Sequence, residues 1–139
     1  MSAGYGIDIT AAEIADTLQF FDNWEDRYRY IIDLGKALPN MPESRKREEL
    51  LVRGCQSQVW LEMREDANRL YFDVDSDAHI VRGLIAIILS AYNGKTRSEI
   101  LGFDMDSYFA GLHLLSHLSP TRGNGLRAMV KRVRDLALV

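Results

Sequence analysis

One cysteine, three prolines and 9% aromatic residues in 139 positions leave several protein classes without support. A single cysteine excludes an intrachain disulfide framework and makes a multi-cysteine metal site improbable. No strong excess of either charge is present: the net charge is −3 and the pI is near 5.6, so the chain has no general attraction for phosphate backbones or anionic lipid. Neither nucleic acid nor membrane is expected as a partner. The longest apolar run, Leu84 to Leu89, is far short of the roughly 20 residues that cross a bilayer. The N-terminus, Met1-Ser2-Ala3-Gly4-Tyr5-Gly6, has neither a basic start nor an apolar signal core, and the expected location is cytoplasmic. What is present is 47% hydrophobic residues, enough for one compact domain spanning residues 1–139.

The pattern along the chain is helical, then extended, then helical. Thr10-Ala11-Ala12-Glu13 has the form of a capping box and predicts a short helix to about Leu18. Asp22 or Asn23 can cap a second helix, in which Trp24, Tyr28, Ile31 and Gly35 share a face and which ends before Pro39. Residues 40–47 read as a loop or irregular turn. Alternation at Val59, Leu61 and Met63, and again at Leu70, Phe72 and Val74, predicts two strands, with the short polar stretch 65–69 making them an antiparallel hairpin. Glu49 to Val52 are read as a third, edge strand.

Ser76 or Asp77 is expected to cap a core helix from Ala78 to Tyr92, so apolar that it must be covered on most sides. Thr96-Arg97-Ser98-Glu99 is a second capping box. Short helices are predicted from Asp104 to Leu118. A last helix from about Arg122 to Ala137 buries Leu126, Met129, Val130 and Val133 and turns Arg127, Lys131 and Arg134 mainly to solvent. The expected fold is α+β: a small antiparallel sheet of about three strands with helices packed on one side.

The lone cysteine sits in Arg53-Gly54-Cys55-Gln56-Ser57-Gln58-Val59-Trp60. Structural cysteines usually lie in apolar surroundings, whereas Cys55 follows a flexible glycine, precedes polar residues and has Arg53 close enough in sequence to favour a thiolate. Those neighbours point to a reactive thiol on a loop between strands. His79, His113 and His117 are candidate bases for a cysteine hydrolase or transferase, but structural or surface roles suit them better. The remaining alternative is an adaptor module in which Cys55 is incidental.

The stretch Gly54-Cys55-Gln56-Ser57-Gln58-Val59-Trp60 resembles the signature around the sulfur-accepting cysteine of the SufE family. Further blocks agree in the same order: Asn23-Trp24-Glu25-Asp26-Arg27-Tyr28, Leu34-Gly35, Leu38-Pro39, Asp75-Ser76-Asp77-Ala78, Ile80-Val81-Arg82-Gly83-Leu84, and Leu118-Ser119-Pro120-Thr121-Arg122 with Gly125-Leu126. The resemblance implies a SufE/IscU-like fold and a sulfur carrier. Cys55 would take sulfane sulfur from a pyridoxal-phosphate cysteine desulfurase of the SufS or CsdA type as a persulfide, stimulate that enzyme, and deliver the sulfur to an iron–sulfur scaffold of the SufBCD type. The protein itself would need no cofactor or metal and would have no independent turnover. Arg53, Gly54, Gln56, Ser57, Asp77 and Arg122 are expected to support the loop or bind the partner. For Arg122 a plain helix-start salt bridge is an equal alternative, and Asp75, Ser76 and Asp77 are either a docking rim or a helix cap. Assignment to the SufE or the CsdE route, and dimerisation, stay open.

Overall fold

The computed structural model describes residues 9–139. Six helices and one hairpin follow in chain order: α1 (Ala11–Phe20), α2 (Trp24–Lys36), β1 (Val59–Asp66), β2 (Arg69–Ser76), α3 (His79–Tyr92), α4 (Arg97–Gly102), α5 (Met105–Leu112) and α6 (Pro120–Leu138). The caps explain most of the boundaries. Thr10 accepts the Glu13 amide, Asn23 the Asp26 amide, and Ser119 the Arg122 amide, with Pro120 at a first-turn position that needs no N–H donor. At α4 the box is reciprocal, because Glu99 also accepts the Thr96 amide.

The sheet has two strands rather than three. β1 and β2 pair antiparallel from Val59↔Ser76 to Asp66↔Arg69 across a two-residue turn, Ala67-Asn68, whose φ angles of 52° and 67° are those of a tight hairpin. In place of the expected strand over 49–52, Glu48–Leu50 makes one 3-10 turn and only Leu51 bridges to Trp60. The extended stretch cannot lengthen because Gly54, at φ +93°, turns the chain away immediately afterwards.

Alternation divides the hairpin into two faces. Leu61, Phe72 and Val74 face the core, where Leu61 and Val74 meet Ile85, Ile88 and Leu89 of α3 and Met129 and Val133 of α6. The other face carries the pairs Trp60↔Asp75 and Glu62↔Asp73 and is covered by the segment before β1. Arg45 bonds both Glu62 and Asp73, and Lys46 lies 5.0 Å from the centre of the Trp60 ring. Trp60 is therefore buried although it points away from the main core.

In α3, 12 of 14 residues are buried, so the helix is enclosed by its neighbours. Each buried Ile or Leu contributes about 1.5–3 kcal/mol over its exposed state. α2 crosses α3 at Gly35 and Gly83, where a methyl added at Gly35 would stand 2.6 Å from the Gly83 nitrogen. Neither Ser76 nor Asp77 caps α3 as expected. Ser76 stays in register with Val59 as the last residue of β2, its hydroxyl accepting the Ala78 amide, and Ala78 takes the cap position with no side-chain bond. Val130 of α6, expected in the core, is only partly buried. No helix of the described residues is long and apolar enough to cross a membrane.

Candidate functional site

Cys55 lies on the six-residue loop 53–58, whose ends are tied where the Val52 N–H donates to the Val59 carbonyl at 2.8 Å. Val52 and Val59 are both buried, so the base of the loop is anchored while Arg53, Gly54, Gln56 and Gln58 are exposed. Helix α6 supplies the surface against which the loop rests. Positions 121, 125, 128 and 132 follow the helical spacing of four, three and four and form one stripe. Gly125 lies against Cys55, and Ala128 lies under Gly54, where an added methyl would come within 3.2 Å of the Ala128 Cβ. Small residues on α6 therefore allow the loop to sit close.

The thiol turns inward from its loop. It is half-buried and donates to the Gly125 carbonyl at Sγ···O 3.5 Å, a long and weak hydrogen bond. Val81 and Leu84 from α3 and Leu126 and Met129 from α6 make the apolar wall of a small cleft, while Gln56, Ser57 and Arg122 contribute polar groups. The cleft is about 20 Å³, room for roughly one water-sized atom. Burial pushes the Cys55 thiol above its ordinary pKa. Arg53, expected to favour a thiolate, has an exposed side chain that lines a different groove, and the cause of the upward shift is desolvation.

Of the residues singled out from sequence, Cys55, Gln56, Ser57 and Arg122 meet at the cleft, and Gly54 makes the turn that brings the thiol in. Arg122 has no carboxylate partner among the described residues, so the helix-start salt bridge is not formed. Asp77 is exposed and does not line the cleft. Asp75 and Ser76 cannot be rim residues, since they are buried. Asp75, 2% exposed, pairs with Arg82 and accepts the Met41 and Ser76 amides, with Lys46 at 3.7 Å. Arg82 also donates to the Leu38 and Gly35 carbonyls, so this buried pair ties the end of β2 and the start of α3 to the chain leaving α2. Sequence reasoning missed it. The available signal was an arginine inside an otherwise apolar helix, which requires a carboxylate within reach.

No histidine lines the cleft of Cys55; His117 instead stacks on Trp24 with ring centres 4.3 Å apart. Among the described residues no group of three or more His, Cys, Asp or Glu is placed to hold a metal ion. Cys55, half-buried on a tethered loop, is thus the nucleophilic group of the cleft.

Comparison with known proteins names the class. Residues 12–137 match the SufE family, described as the Fe-S metabolism associated domain. The chain is 50% identical over 131 residues to an uncharacterized SufE-like protein of Rhizobium etli, covering 91% of this chain and 88% of the relative. A second such protein, from Rhizobium meliloti, is 48% identical over 129 residues, with 90% and 92% covered. The chain belongs to the SufE family. In three dimensions it is similar to a hypothetical protein of Thermus thermophilus solved in solution, with a TM-score of 0.75 over 92% of this chain and 93% of the other. At 15% identity that likeness concerns the α+β fold.

Proposed function

We propose that this protein is a sulfur acceptor and carrier for iron–sulfur cluster assembly, with Cys55 as its one reacting group. The observation that carries the reading is the placement of the chain's only thiol: half-buried, seated in a cleft of atomic size, and borne on a loop tied at its base. A thiol so held is a poor nucleophile until the loop leaves the cleft.

Once released, the thiol regains an ordinary pKa, and its larger thiolate fraction, formed by loss of the proton to solvent, is the attacking form. The Cys55 thiolate attacks the outer sulfur of a persulfide on the donor's cysteine. A new S–S bond forms to Cys55, the donor's S–S bond breaks, and the electron pair leaves on the donor sulfur as a thiolate. The sulfane sulfur moves with no external oxidant. Delivery repeats the step in reverse roles, a recipient thiolate attacking the outer sulfur on Cys55. The donor is a pyridoxal-phosphate cysteine desulfurase and the recipient an iron–sulfur scaffold. With no second cysteine in the chain, the persulfide cannot be discharged internally as a disulfide.

Incubation with a cysteine desulfurase and free cysteine, followed by intact-mass measurement, tests the reading. One sulfur atom is expected on the wild-type chain, removable by a reducing agent, and none on Cys55→Ser, which should fold as the parent does. An unmodified wild-type chain, or an equal adduct on Cys55→Ser, would sink it.

A further inference from the structure

The charged residues of this protein are distributed unevenly. Around the outer sheet face Arg45, Lys46, Arg47 and Arg82 all have carboxylate partners, as do Arg69 and Arg97. Helix α6 carries Arg122, Arg127, Lys131, Arg132 and Arg134 against one acid, Asp135, a net of +4 in a chain whose net charge is −3. Arg53 and Arg132 have no carboxylate partner among the described residues.

Those two guanidinium groups flank one feature. The α6 stripe that receives Cys55 at Gly125 and Gly54 at Ala128 continues to Arg132, and there a groove of about 470 Å³ opens between α6 and residues 49–53. Leu51, Val52 and Ala128 give it apolar lining; Arg53, Lys131 and Arg132 make it basic. Its two acids are partly satisfied within the chain, Asp135 by Lys131 at 2.6 Å and Glu49 by Arg47 at 3.9 Å. Arginine forks without partners favour bidentate binding of carboxylates. The apolar lining and the two resident carboxylates disfavour a uniform polyanion such as nucleic acid.

We propose that this groove docks a carboxylate-rich segment of the protein that exchanges sulfur with Cys55, the segment lying along α6 with its acids on Arg53 and Arg132. The assignment of the partner rests on the carrier reading. The patch gives an otherwise acidic chain a local attraction for an acidic surface, steering encounter to the side that bears the thiol.

The test compares Arg132→Glu, Arg132→Lys and, as a control on α2, Lys36→Glu. Each is measured for the second-order rate of sulfur uptake from a cysteine desulfurase at two salt concentrations, and for alkylation of Cys55 by iodoacetamide in the free protein. Arg132→Glu is expected to lower uptake about tenfold at low salt, with a smaller deficit at high salt. Arg132→Lys should retain most of the rate, Lys36→Glu all of it, and iodoacetamide should react equally with every variant. Unchanged uptake in Arg132→Glu, or an equal loss in Lys36→Glu, overturns the proposal.

A second arm needs no desulfurase. A peptide of mixed glutamate and leucine, added to isotope-labelled protein, should shift the amide resonances of residues 49–53 and 128–135, and an oligothymidylate of equal charge should not. Absence of peptide shifts, or equal shifts from both, removes the groove as a peptide site. Failure of the wild-type protein to take up any sulfur would strike the carrier reading instead, leaving the peptide arm to decide the groove.

Discussion

Replacing Gly54 with alanine should loosen Cys55 from its cleft without unfolding the protein. In the seated loop residue 54 has φ +93°, a region that costs a residue with a Cβ about 1–2 kcal/mol. The added methyl would also stand 3.2 Å from the Ala128 Cβ, tight enough that one of the two must give. Both penalties apply only while the loop is seated, because a released, solvated loop lets the alanine return to negative φ. A bias of about 1–2 kcal/mol raises the released population roughly 5- to 30-fold. If iodoacetamide reacts only with released Cys55, the alkylation rate at fixed pH should rise by that same factor. Urea denaturation should lose no more than the loop energy, since the buried Val52 and Val59 that anchor the loop are untouched. Equal alkylation rates in the two proteins would refute release as the route to Cys55, and a rise matched by an equal loss of global stability in urea would show that the loop opens only with the whole fold.

Burial raises the pKa of the seated thiol, so the seated loop holds its proton more tightly than the released one. The seat is at full strength below the released thiol's pKa and weakens as pH rises from there to the seated value; the native alkylation–pH profile should therefore have a higher midpoint than that of urea-unfolded protein, and a lower one would contradict the burial argument. Asp77→Arg changes an exposed residue that caps nothing, so thermal stability should move by no more than about 0.5 kcal/mol while desulfurase affinity changes and Cys55 alkylation does not. Unchanged affinity would remove Asp77 from the docking surface. Gly83→Ala would drive a methyl into the Ile31 carbonyl between α2 and α3, and a loss of about 3 kcal/mol or more is expected in urea; a loss below about 1 kcal/mol would mean the helices separate easily.

Local chemistry was legible wherever neighbours in sequence are neighbours in space. Asn23, Thr96 and Glu99 cap the helices they precede or start, and the alternation of Leu61 and Met63 with Trp60 and Glu62 predicts the two faces of β1. The third strand was not legible, because residues 49–52 have the composition of a strand but their geometry is set by the turn at Gly54 and by a single bridge to Trp60. At the site, the motif around Cys55 identifies the loop, yet nothing in it says that the thiol turns toward Gly125, 70 residues away. The α6 sequence predicts a buried face through Leu126, Met129 and Val133, while the adjacent stripe of Gly125 and Ala128 is a seat only because another segment rests on it. Asp75 illustrates the same limit: beside Ser76 and Asp77 it looks like part of an exposed acidic turn, and only the long reach of Arg82 makes it an internal tie.

The tie between Val52 and Val59 confines the only thiol to six residues, so on the proposed carrier reading the protein has one doorway for cargo. Donor and recipient must use it in turn, since two proteins cannot present sulfur atoms to the same Sγ from the same side of α6. Relay through such a doorway follows double-displacement kinetics, with parallel reciprocal plots when donor and recipient concentrations are varied. It also has an optimum: beyond a certain ratio of donor to carrier, added donor blocks the recipient and slows delivery. Fast departure of each partner then matters as much as tight arrival.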